Sequence, residues 1–168
     1  MNIVIACTGS EWYRDDRAGL IVCRNLQQAL PERLGICNVS IVECETGLER
    51  CLGLITRNNP DVVIFVDAVR VVGHEENLRS GSVIVIDNVV ECESLQDAAL
   101  THKLSIKTVS QLINYLVGHS VRCVFVGIVV ENLELCLEEN CELSEEVKKG
   151  VERCVNIVRE IVRDLCYG

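Results

Sequence analysis

The chain has 168 residues, about half of them apolar and few aromatic, with a formal charge of −9. That length buries a real core and fits one domain, expected over residues 1–168. The acidic balance and the lack of any Lys/Arg cluster exclude nucleic acid or an anionic membrane as partner.

In chain order, "NIVIACTG" (2–9) reads as a strand apolar on both faces, and therefore central. Residues 17–30 place Ala18, Ile21, Val22, Leu26, Ala29 and Leu30 at helical spacing, and Pro31 stops the helix. "CNVSIVE" (37–43) is a second strand and "TGLERCLGLITR" (46–57) a shorter helix. "DVVIFVDAV" (61–69) is a third strand, again apolar on both faces, and "SVIVID" (82–87) a fourth. A helix over 105–117 and a fifth strand, "VRCVFVGIVV" (121–130), follow. The last helix is the clearest element. Ser144 suits its N-cap, Glu145 and Glu146 suit its positive start, and Val147, Val151, Cys154, Val155, Val158, Ile161, Val162 and Leu165 form one stripe.

Alternating strands and helices predict an α/β three-layer sandwich, with a five-stranded, mostly parallel sheet and helices on both faces. The link "RVVGHEENLRSG" between strands three and four has no helical period and is short for a parallel crossover. Strand four is therefore expected to be antiparallel, at an edge.

No stretch nears the eighteen or so apolar residues of a membrane span. The first residues lack a signal peptide's basic flank, and Glu11, Asp15 and Asp16 come early, so a cytoplasmic location is expected. Eleven cysteines are present, without a CxxC pair. Cys23, Cys37, Cys51, Cys123, Cys154 and Cys166 fall in apolar patterns and are expected to pack as small hydrophobes, reduced as cytosolic thiols usually are. Cys136 and Cys141, in an acidic loop, give a weak metal or redox signal and are expected to be structural.

In open α/β sheets, sites gather where parallel strands end. Asp16 follows strand one, Asp67 ends strand three, and Glu43 ends strand two. The helix before strand five must start at that same rim, and His102 stands three residues before its Ser105. Asp16, Asp67 and His102 are thus expected to converge. Two carboxylates and an imidazole suit a borderline divalent cation such as nickel or zinc, which would relieve the repulsion between the acids. Taken singly, each residue has a plainer role. An acid pair favours a helix start, and a lone histidine is usually a loop residue, as His74 and His119 are expected to be. An acid ending the run Val62–Val66 is harder to dismiss.

These residues resemble the nickel–iron hydrogenase maturation endopeptidases. That family opens with a strand, then G-x-G-N, then an acidic pair and a small-residue helix start. Here stand Cys7-Thr8-Gly9-Ser10, Asp15-Asp16 and Arg17-Ala18-Gly19. The family's "ADA" looks like "VDA" with Asp67, and its THxxxL-like segment looks like Thr101-His102-Lys103-Leu104. Glu43 and Gly47 in "ECETGL" match its acid before a glycine turn. Cys7, Ser10 and Arg17 depart from its glycine, asparagine and glycine.

The resemblance implies metal ligation and catalysis by Asp16, Asp67 and His102, with Gly9, Ser10, Asp15, Glu43 and Gly47 in support. It implies an endopeptidase that removes the C-terminal extension of a nickel–iron hydrogenase large-subunit precursor once nickel is inserted. The nickel belongs to the substrate, and other divalent cations can substitute in the isolated protein. Two alternatives stay open: a non-catalytic precursor-binding maturation factor, and a thiol hydrolase with Cys7 as nucleophile and His102 as base. A nucleotide site at Gly9 is disfavoured, since GxGxxG is absent and two aspartates stand close.

Overall fold

The computed structural model describes residues 1–45, 47–71, 78–91, 98–100, 105–136 and 141–168. The elements in order are β1 (Asn2–Thr8), α1 (Ala18–Ala29), β2 (Arg33–Leu34), β3 (Cys37–Cys44), α2 (Leu48–Arg57), β4 (Val62–Val71), β5 (Val83–Ile86), β6 (Ala98–Leu100), α3 (Ile106–Val117), β7 (Arg122–Val129) and α4 (Glu145–Tyr167).

The sheet runs β2-β3-β1-β4-β7-β5, with β6 attached to β4. Strands β3, β1, β4 and β7 are mutually parallel, and β5 pairs antiparallel with β7 at the edge, as its short connection predicted. Two short strands were not foreseen. β2 pairs antiparallel with β3, and β6 pairs antiparallel with β4 through Val69↔Leu100 to Val71↔Ala98. β1 stops opposite Val66, so β6 takes up the edge of β4 that β1 leaves open. Two or three residues give no readable period; their pairing depends on the edge offered to them.

The alternation of side chains along the central strands divides the core. Ile3, Ile5, Ile64, Val66 and Val126 pack with Val22 and Leu26 of α1 and Val151, Val158 and Val162 of α4. Val4, Ala6, Val63 and Phe65 pack on the other face with Ile55 of α2 and Val109 and Ile113 of α3. A sheet covered on both faces is the three-layer arrangement expected from central strands without polar alternation.

The cysteines correct the sequence reading. The structure joins Cys7–Cys23, Cys37–Cys166, Cys44–Cys51 and Cys136–Cys141, each with Cα atoms 5.6–5.9 Å apart. The first six of these are buried, and helices docking on the sheet bring them together in pairs, within the span a disulfide needs, while Cys136 and Cys141 are half-buried loop residues. Cys123 and Cys154 are free and buried. Burial raises both thiols, Cys154 to about 12.

Candidate active site

The β1–α1 loop carries the first acid. Thr8 ends β1, and its hydroxyl donates to the Cys44 carbonyl of neighbouring β3 at 3.0 Å. At Gly9 the chain folds back so tightly that a Cβ would lie 2.3 Å from the Asp16 carbonyl oxygen, so the family-like glycine is a steric requirement here. Ser10 accepts the Trp12 N–H at 3.3 Å through its hydroxyl, a turn contact that an asparagine could also make. Asp16 follows, 5% exposed, just ahead of the first turn of α1.

Gly19 explains why the loop sits over two strands at once. Its Cα lies against the end of β1 and the middle of β4; an added Cβ would come within 2.1 Å of the Thr8 carbonyl oxygen and 3.2 Å of that of Val66. Three residues upstream is Asp16, and the residue after Val66 is Asp67, 1% exposed. Asp67 pairs with Gly127 of β7 and lies just beyond the last β1–β4 pair, Cys7↔Val66. It alternates with Val63, Phe65 and Val69, which places it on the α2/α3 face, the side from which α3 begins. Asp16 therefore follows the carboxyl end of β1, and Asp67 lies within β4, just past its last pair with β1 rather than at the strand end expected from the sequence, because β4 runs on to Val71 along β7; both acids are buried.

Asp15, fully buried, does something the sequence did not show. It accepts the Ser144 N–H at 2.8 Å on Oδ1 and the Ser144 hydroxyl at 2.9 Å on Oδ2. Ser144 does occupy the N-cap of α4, but its hydroxyl makes no bond within that helix. An acid near a helix start was expected for α1; Asp15 serves the positive start of α4 instead.

Glu43 is not brought to Asp67. It pairs with Cys7 across the β1–β3 ladder and receives Arg24 Nε of α1 at 3.2 Å, on the opposite face. Arg24 also meets Glu11 at 2.5 Å, and these acids raise its pKa against a larger opposing effect of burial. Gly47 is the N-cap of α2 with φ 109°, a conformation that favours glycine. His119 lies exposed with a ring nitrogen 3.1 Å from the Pro60 carbonyl. His102 and His74 lie outside the described residues. Among the described residues, no three His, Cys, Asp or Glu side chains gather in a way that could hold a metal.

Cys7 cannot serve as a nucleophile while bonded to Cys23. It is fully buried, and that bond occupies the sulfur on which the thiol hydrolase alternative depends.

The family model for hydrogenase maturation protease (HycI) matches residues 21–161. The chain belongs to this family. Among solved structures, the nickel–iron hydrogenase maturation protease HycI from Thermococcus kodakarensis KOD1 is similar to this chain at 27% identity. The TM-score is 0.73, covering 96% of this chain and 92% of that one. The hydrogenase maturating endopeptidase HybD from E. coli shares the fold at 22% identity and TM-score 0.70, covering 98% and 93%. The maturation protease HybD from T. kodakarensis does so at 23% and 0.67, covering 96% and 99%. Comparison with curated protein sequences finds no match. The family membership makes this chain a protease of hydrogenase maturation, and the doubly covered sheet is the family's fold.

Proposed function

We propose that this protease removes the C-terminal extension of a nickel–iron hydrogenase large-subunit precursor in the cytoplasm, after nickel insertion, with Asp16, Asp67 and His102 receiving the precursor's nickel. The observation that carries this reading is the pair of buried carboxylates, Asp16 in the loop after β1 and Asp67 in neighbouring β4 where its pairing with β1 stops. Two carboxylates with an imidazole are a donor set that suits a borderline divalent cation. Chain length supports including the imidazole of His102. Leu100 pairs with Val69, two residues past Asp67, and two residues of chain separate Leu100 from His102, a reach of at most about 7 Å. Ser105 then caps α3, accepting the Thr108 N–H at 3.2 Å.

In this reading the two carboxylates and the imidazole orient the precursor by its bound nickel, and the scissile peptide bond lies beside that ion. The cation polarises the carbonyl or activates a water. A precursor without nickel lacks the anchor, which accounts for cleavage only after insertion. No helix among the described residues is long and apolar enough to cross a membrane.

The test is incubation with nickel-loaded and nickel-free precursor, read by mass. The native chain is expected to shorten the nickel-loaded form once and leave the other intact. Asp67→Asn, which keeps the side-chain volume, should slow cleavage at least about a hundredfold with an unchanged melting curve. Cleavage of both forms alike, or a fully active Asp67→Asn variant, would remove the nickel-reading role. Binding without cutting would identify a precursor-holding factor instead.

A further inference from the structure

The chain has a single tryptophan, and it is 64% exposed. Both phenylalanines, Phe65 and Phe125, are fully buried, so exposed Trp12 is not an excess of aromatic residues pushed outward from a filled core. Beside it are Tyr13, 42% exposed, and Leu135, 57% exposed. The three lie on the two halves of one backbone ribbon. Tyr13 and Leu135 make an antiparallel bridge. Around it, the Cys136 N–H donates to the Trp12 carbonyl at 2.8 Å, Arg14 N–H to Glu134 at 3.0 Å, and Asp15 N–H to Asn132 at 3.2 Å. The Cys136–Cys141 bond closes one end. At the other end, Asp15 is anchored on Ser144, so the ribbon runs straight into Asp16.

We infer that Trp12, Tyr13 and Leu135 form the docking surface for the precursor polypeptide next to its scissile bond, gripping an apolar segment flanked by basic residues. The inference rests on the cleavage reading above. Continuity with the site selects the occupant: the ribbon is the same stretch of backbone that carries Asp16, so a polypeptide whose nickel sits at Asp16 must pass over it. Its hydrogen bonds hold it in place before binding, which lowers the ordering cost of docking. Exposed Trp and Tyr at a fixed position are the residue types that dominate interface energies. Charge sets the flank: Glu131 and Glu134 are both exposed on the half of the ribbon leading into Leu135, in a chain of net charge −9.

One Trp means one label. The chain grown with 5-fluorotryptophan has a single fluorine resonance, while unlabelled nickel-loaded precursor is silent. Adding precursor is expected to shift or broaden that resonance. In steady-state cleavage, Trp12→Ser and Leu135→Ser should each raise KM about tenfold or more with kcat within about twofold. An unmoved resonance at saturating precursor, or an unchanged KM in both variants, overturns the docking surface. If the native chain binds precursor without cutting it, the cleavage reading fails while a shifted resonance still supports the docking surface. Cleavage by the native chain with a silent resonance has the opposite meaning.

Discussion

Asp15 and Asp16 are neighbours with different roles. The Asp15 carboxylate is used up on Ser144, and that pair ties the loop before α1 to the start of α4, 129 residues away. Asp16 is thereby positioned from behind. Ser144→Ala removes one hydroxyl donated to a buried carboxylate and should cost about 1.5–3 kcal/mol in urea unfolding. A variant as stable as the native chain would show that Asp15 finds its second donor elsewhere. The importance of this acidic pair was legible in the sequence because two acids at a strand-to-helix junction interrupt residues made for burial. The anchoring of Asp15 was not, because its partner Ser144 lies at the far end of the chain.

At the scale of elements, the approach of α1 to the strand ends depends on Gly19. Gly19→Ala would push a methyl group into the Thr8 carbonyl, so α1 must move away from β1 and β4. We expect a loss of about 1–3 kcal/mol and impaired cleavage, because Asp16 moves with the helix. Native stability in this variant would mean the helix has slack.

The edge strand offers a pH test. The Arg122 guanidinium, donating at 2.6 and 3.0 Å, holds the Asp87 carboxyl below its usual range and links the end of β5 to the start of β7. A depressed folded-state pKa means the contribution is complete above the unfolded value and disappears as pH falls through the folded one. Both side chains are about half exposed, so Asp87→Asn should cost no more than about 1 kcal/mol at pH 7 and nothing in strong acid. A loss that persisted in strong acid would assign it to something other than the ion pair.

Among these elements, the long strands and helices were readable because burial on one or both faces imposes a pattern on seven or more residues. β2 and β6 were not, being defined by the neighbour they meet. The ribbon of Trp12 and Leu135 was equally hidden, since its halves are short, irregular and far apart in sequence.

For the whole molecule, the four disulfides change the picture of a reduced, thiol-rich chain. Cys37–Cys166 connects residues 129 apart and Cys7–Cys23 secures α1 to β1. Cross-links of this kind restrict the unfolded chain, and more so for longer loops. They were illegible because cysteine placed for packing and cysteine placed for bonding produce the same apolar pattern; only the docking of α1 and α4 distinguishes them. Denatured without reductant, the chain should titrate three thiols of its eleven cysteines. In the native state, Cys154 should resist alkylation at pH 8, with its thiol raised to about 12. Eleven reactive thiols after denaturation alone would contradict the bonded form.

The overall architecture, including the antiparallel β5, followed from strand order and connection length. The candidate site was read from where such sheets place their parallel strand ends. Its central claim is that two carboxylates and an imidazole share one cation, and the most direct measurement is anomalous diffraction at the zinc edge from crystals soaked in zinc. The account predicts one ion bound by Asp16, Asp67 and His102, each at about 2.0–2.2 Å. Zinc held elsewhere, or these three groups too far apart to touch one ion, would contradict it.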